Sequence, residues 1–239
     1  LGARSWLLPG VYAILMRLLV LAGVTSPLAF AAVFHALNAA ASVFLVAGVY
    51  RLAERLYGER TAVYAGLLAA LSVPLLYYST RTLSDNASAI FIPWAFYFAA
   101  RGARDEAGTG GQYFRAGLMA GVATMIRYPS AVFFAAIGLY LLFTGRGSGL
   151  VRLTLGFLAA VVTQGLLDLA TWGHFLHSAL VYFHYNVVEG RSVVHGVEPW
   201  HFYLVRFWKA YWWMTVLAAP LVFIGMWRSW VVNYGIVLY

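Results

Sequence analysis

The side chains able to do chemistry gather in three places. The longest runs over residues 168–203. It holds Asp168, Trp172-Gly173-His174, Tyr182-Phe183-His184-Tyr185-Asn186 and His195-Gly196-Val197-Glu198-Pro199-Trp200-His201-Phe202-Tyr203, with five of the six histidines. The second is Arg81-Thr82-Leu83-Ser84-Asp85-Asn86, and the third is Arg127-Tyr128. A polar, aromatic, histidine-rich stretch between apolar ones is where a membrane protein handles a ligand or a proton. Each residue also has a plainer reading. An Arg at a helix end snorkels to the interface, and Asp168, after an apolar run, can pair with a cation or cap a helix. His174 and His177 have the i, i+3 spacing of helical metal ligands. With no cysteine and no further ligand motif nearby, no metal and no other cofactor is expected.

The elements that must position these groups are apolar helices. The chain is 63% hydrophobic and 10% charged, with mean hydropathy +0.78. Soluble domains carry about 25% charged residues, so the expected class is all-α: a polytopic transmembrane helix bundle over 1–239. An extracytoplasmic loop and helix region at 171–205 belongs to it. All sixteen positive charges are Arg except Lys209, and they are scattered. No basic run or stacking platform suits nucleic acid; the expected partner is the lipid bilayer. Ser26-Pro27 starts a helix. Uncharged spans are expected to follow at 27–50, 61–80, 87–100 and 153–167, with a further span at 210–227. Two shorter pieces, 116–126 and 129–143, flank Arg127-Tyr128. About seven crossings are expected, and both chain ends read as cut. Gly117 and Gly121 suit close helix packing rather than phosphate binding.

Charge sorts the turns into two faces. Arg51, Arg55, Arg60, Arg101, Arg104, Arg115, Arg146, Arg152 and Arg228 fall in one set of turns; Arg4, Arg81, Arg127, Arg191, Arg206 and Lys209 fall in the other. Nine against six makes the first face cytoplasmic. The three polar clusters then share the extracytoplasmic face. The 168–203 stretch is too polar for hydrocarbon and too apolar for water, so it should fold back at the interface and meet the 81–86 turn. A short helix over 176–188 is expected within it.

These same residues carry a family resemblance. Arg81-Thr82-Leu83-Ser84-Asp85-Asn86 resembles the Arg-Thr-x-Ser-Asn motif of the dolichyl-phosphate-mannose-dependent mannosyltransferases that build GPI anchors and N-glycan precursors, glycosyltransferase family twenty-two. Gly2-Ala3-Arg4-Ser5-Trp6-Leu7-Leu8-Pro9 is similar to that family's Arg-Ser-Trp/Tyr…Pro segment, and Asp168…Trp172-Gly173 to its Asp…Tyr-Gly. His184-Tyr185-Asn186-Val187 followed by His195…Pro199-Trp200-His201-Phe202-Tyr203 resembles its Tyr-Asn-Val…His-Pro-Trp-Tyr-Tyr stretch. The matches run in order over most of the chain. Two departures stand out: the Asn and the acid that follow the motif's Ser are displaced or missing in Asp85-Asn86-Ala87-Ser88, and the family's Asp-Glu pair precedes the Arg-Ser-Trp segment, upstream of Leu1. The resemblance therefore implies a transferase fragment without its catalytic acid.

It also implies a GT-C-type fold and transfer, with inversion, of a sugar, expected to be mannose. The donor would be a polyprenyl phosphate and the acceptor a glycan or a lipid-linked molecule. Such chemistry needs a carboxylate to take the acceptor proton and cationic donors for the departing phosphate. Arg81, Arg127, Arg191 and His195 are candidates for the phosphate. Asp85, Asn186, Tyr185, Glu198, Trp200 and Tyr203 suit hydroxyl recognition or stacking on the sugar, and the motif matches add Arg4, Ser84, Asn86 and Asp168. The alternatives are a multi-pass transporter, which would place ionisable groups at the midplane of two related halves, and a non-catalytic membrane subunit. Abundant Arg, Ala and Gly with one Lys lean towards a prokaryotic plasma membrane over the endoplasmic reticulum.

Overall fold

A computed structural model describes residues 6–104, 110–191, 198–199, 201–202, 204–206, 208–209, 212 and 216 of the 239. Among the described residues the secondary structure is entirely helical. Helix α1 (Leu7–Leu21) leads into α2 (Pro27–Tyr57), whose first turn holds Pro27 after an extended Ser26 and which ends at Gly58, φ 90°. There follow α3 (Glu59–Ala70), α4 (Val73–Ser79), α5 (Ser84–Ala89), α6 (Ile92–Arg104) and α7 (Gly110–Ile126). A 3₁₀ turn (Tyr128–Ser130) joins α7 to α8 (Ala131–Phe143). The long α9 (Gly147–Trp172) precedes α10 (His177–Phe183), which continues as one π-helical turn (His184–Val188).

Several boundaries differ from the hydropathy reading. The span expected over 61–80 is broken: α3 and α4 meet at 56°, because Pro74 cannot donate within a continuous helix there. The span expected over 87–100 is divided at 90–91, ahead of Pro93 in the first turn of α6. Arg152, expected in a turn with Arg146, lies in helix, because α9 starts at Gly147. Among the described residues two helices, α2 and α9, are long and apolar enough to cross a membrane, or three if the bent α3–α4 pair counts as one. The helices flanking Arg127 are 17 and 13 residues long, shorter than the ~20 that a straight crossing takes.

The core is built by close approach of small residues. Helices α7 and α9 cross at Gly117 and Gly156, where a Cβ would overlap the Leu153 carbonyl or the Phe114 carbonyl. One turn further along, a Cβ on Gly121 would come within 2.6 Å of the Ala160 Cβ. The close packing expected of Gly117 and Gly121 is thus what the backbone does. Ala95, Ala99, Ala116, Ala120 and Ala136 fill in around Phe96, Ile137, Leu141 and Leu153.

Among the described residues, turns from the two charge-defined sets lie at opposite ends of this bundle. At one end Arg146 Nη1 donates to the Ala103 carbonyl at 2.7 Å and to the Tyr113 hydroxyl at 3.0 Å. The Tyr113 ring lies against Gly102 and Gly149. The end of α6 and the starts of α7 and α9 are tied together there, among Arg101, Arg115, Arg146 and Arg152. The polar clusters lie at the opposite end.

Candidate functional site

At that opposite end a cavity of about 540 Å³ opens between four segments of chain. Leu8, Pro9 and Tyr12 of α1 form one wall; Thr82, Leu83, Ser84 and Asp85 form the next. The break between α7 and α8 supplies Ile126, Arg127, Tyr128 and Pro129, and α10 supplies Tyr182. Its volume lies within the ~300–1,000 Å³ of small-molecule sites. The three clusters that the sequence placed on one face are therefore neighbours. Of the 168–203 stretch, Tyr182 lines the same cavity as residues 82–85 of the 81–86 turn.

Local conformation explains how each group reaches the cavity. Arg127 is extended (φ −144°, ψ 107°) where α7 stops ahead of Pro129, so its side chain leaves the helix axis. It forms an ion pair with Asp85, in the first turn of α5. The side chains are 36% and 55% exposed, so both partners face the open cavity. Beneath them Ser88 Oγ and Ser130 Oγ share a buried hydrogen bond of 2.8 Å, which clamps α5 to the 3₁₀ turn. Tyr12 donates to Asn38 Oδ1 at 2.6 Å, holding α1 on α2. The Tyr128 and Tyr182 rings pack with centroids 4.7 Å apart.

Asp168 lies wholly buried under this rim and does not line the cavity. Its carboxylate accepts from Gln164 Nε2 at 2.7 Å, from the Ser178 backbone N–H at 2.8 Å and from Ser178 Oγ at 2.9 Å. The Tyr128 hydroxyl is buried beside Asp168 and makes no hydrogen bond of good geometry.

The other residues singled out from the sequence are dispersed. Arg81 is exposed, lies over the Tyr77 ring at 5.0 Å and donates to the Tyr77 hydroxyl at 3.3 Å; it is not among the cavity residues. Ser84 and Asp85 line the cavity, whereas Asn86 turns away and donates to the Tyr78 carbonyl. Asn86 instead borders a small pocket with Asn38, Ser42 and Ser79.

In the expected helix over 176–188, Tyr185 and Asn186 sit in the π turn, and Asn186 donates to the Tyr182 carbonyl at 2.9 Å. Arg191 lies over the Tyr185 ring at 5.7 Å and pairs with Glu189 at 2.5 Å, which also holds His184 at 3.1 Å. His174 and His177 have ring centroids 6.0 Å apart, in a stack with Trp172. Among the described residues no group of three metal-ligating side chains is found. Glu198 is described and exposed, while Arg4, His195, Trp200 and Tyr203 lie outside the described residues.

Leu8, Pro9 and Tyr12 belong to the cavity without having been singled out as its walls, and Tyr128 and Tyr182 stood in the polar clusters without a role of their own. Ser130, Gln164 and Ser178, which were not singled out either, are buried and support the site from beneath. Pro9 stood inside a matched motif and Tyr128 beside a singled-out Arg. Tyr12 carried no signal beyond being aromatic in an apolar chain.

The sequence profile of the Alg9-like mannosyltransferase family matches residues 1–238. No curated protein and no solved structure matches the chain. The chain belongs to the Alg9-like mannosyltransferase family, which makes it a glycosyltransferase by kinship and agrees with the resemblance carried by its motifs.

Proposed function

We propose that this member of the Alg9-like mannosyltransferase family transfers mannose from a polyprenyl-phosphate donor to a glycan or lipid-linked acceptor, with inversion, at the extracytoplasmic face of a membrane. The observation that carries the reading is the cavity with Arg127 and Asp85 at one side and tyrosines at the other. Departure of a polyprenyl phosphate needs a cation where negative charge develops. Among the described residues Arg127 is the cation that lines the cavity. A half-exposed ion pair is worth only ~0–1 kcal/mol, so a phosphate can replace Asp85 on the guanidinium at little cost. Released from Arg127, Asp85 becomes a hydrogen-bond acceptor for a sugar or acceptor hydroxyl. Tyr12, Tyr128 and Tyr182 offer rings for stacking on a pyranose, and Leu8, Leu83 and Ile126 offer apolar contact for the first isoprene units.

Arg81, Arg191 and His195 stay as secondary candidates for the phosphate. The exposed apolar stripe of α9, with Val151, Leu155, Leu158, Val162, Leu166 and Leu169, suits contact with lipid. It supports the reading of a multi-pass membrane protein, and the prokaryotic plasma membrane is the proposed location. Family membership does not favour a transporter. The experiment is transfer of radiolabelled mannose from polyprenyl-phosphate mannose by the full-length protein in proteoliposomes. Transfer that is abolished by Arg127→Ala in a folded protein supports the proposal. No transfer by the wild type to any lipid-linked glycan acceptor overturns it.

A further inference from the structure

We infer that Asp168 is a positioning residue. It grips α10 through Ser178, so that Tyr182 stands against Tyr128 as one aromatic wall of the cavity. Asp168 has no exposed surface, yet its two oxygens receive three donors, two of them from Ser178, the second residue of α10. All three partners are neutral, so what holds the carboxylate is geometry rather than a countercharge. A buried carboxylate that loses a donor is costly, and the network therefore has one low-energy arrangement. That arrangement fixes α10 relative to α9.

The connection between the two helices could not fix it unaided. It contains Gly173 at φ 78° and Leu176 at φ 55°. The second is a left-handed conformation that costs a non-glycine residue free energy and persists only where the surroundings enforce it. The surroundings here are the Asp168–Ser178 bonds on one side and the Phe175 ring on the other. Phe175 folds back on Gly165, at a distance no Cβ would permit. Four residues beyond Ser178, one helical turn on the same face, stands Tyr182, with its ring 4.7 Å from that of Tyr128. The path from the buried acid to the cavity wall is thus a single helical turn.

The placement of α10 is read without turnover. The chain contains no cysteine, so Tyr128→Cys with Tyr182→Cys in the full chain gives one cross-linkable pair for a short bis-maleimide. Adding Asp168→Asn should slow cross-linking about tenfold; Ser178→Ala, which keeps the backbone bond, should slow it less. With both tyrosines intact, Asp168→Asn should raise KM for polyprenyl-phosphate mannose more than it lowers kcat. An unchanged cross-linking rate in folded Asp168→Asn protein overturns the inference. Should that variant not fold, an unchanged rate in Ser178→Ala does the same. The KM effect rests on the proposed function, but cross-linking does not, so absence of mannosyl transfer would sink that reading and leave this one standing.

Discussion

Arg127 and Arg81 look alike in the sequence, each at the end of an apolar run, and the surroundings separate them. Arg81 has settled on its neighbour Tyr77, outside the cavity, whereas Arg127 leaves an interrupted helix and points to Asp85 across it. Arg127→Ala is therefore expected to lower kcat/KM for polyprenyl-phosphate mannose about 100-fold, as loss of a charge-assisted phosphate contact does. Arg127→Lys should recover part of this, since an ammonium keeps the charge without the bidentate fork. Arg81→Ala should cost about tenfold or less, and His35→Ala, in an exposed part of α2, close to nothing. Initial rates normalised to folded yield check the ranking; a larger loss for Arg81 than for Arg127 would move the phosphate to Arg81. Ser88 and Ser130 lie beneath the pair, and removing either hydroxyl strands the other in a buried place. Each single change to Ala should cost about 1–3 kcal/mol, and the double change less than the sum of the two. Thermal unfolding in detergent measures this.

Among the elements, the α7–α9 pair is the part that tolerates least. Gly117 and Gly156 let the two backbones touch, and any side chain at either place must push them apart. Gly117→Leu and Gly156→Leu should each destabilise by about 3 kcal/mol or more, beyond the usual overpacking penalty, because the obstacle is backbone rather than a movable side chain. Gly111→Ala, with nothing within 4 Å of its Cβ, is the control and should be neutral or slightly stabilising. Melting temperatures of the three variants decide it; a Gly156→Leu variant that melts with wild type would mean the helices do not cross there. The consequence reaches the site, since α7 delivers Arg127 and α9 carries Asp168 from this crossing point.

The described helices have an arginine-rich end and a polar, aromatic end. The positive-inside bias predicts that the first of these faces the cytoplasm. In a chain free of cysteine, single cysteines at Ser84 and His174 should react with an impermeant maleimide from the same side, and those at Gly111 and Gly147 only after the membrane is opened. Reaction of Gly147→Cys from the same side as Ser84→Cys would overturn the arrangement. The cavity lies at one end, where the proposed lipid-borne phosphate and acceptor hydroxyl would meet. A transporter would need ionisable groups at mid-depth, and the fully buried acid among the described residues, Asp168, lies near the end of α9 instead.

The amino-acid sequence alone determined the all-helical class, the close packing at Gly117 and Gly121 and a short helix within 176–188. Each depends on local propensity or on a charge that cannot stay in hydrocarbon. The motifs likewise carried the family. What the tertiary structure decided is which of the polar residues face one another. Helix rotation and the breaks at 71–72, 90–91 and 127–130 set that, and each break turns the next segment by an angle that no residue count reveals. Tyr12 reaches the cavity because α1 lies back on Asn38, and Tyr182 reaches it because α10 folds under Asp168. Glu189 and Arg191, close in sequence, satisfy each other, whereas Asp85 and Arg127, 42 residues apart, meet at the cavity. Contacts between distant segments depend on how whole helices pack, and packing is fixed by the shapes of faces rather than by the types of the residues on them.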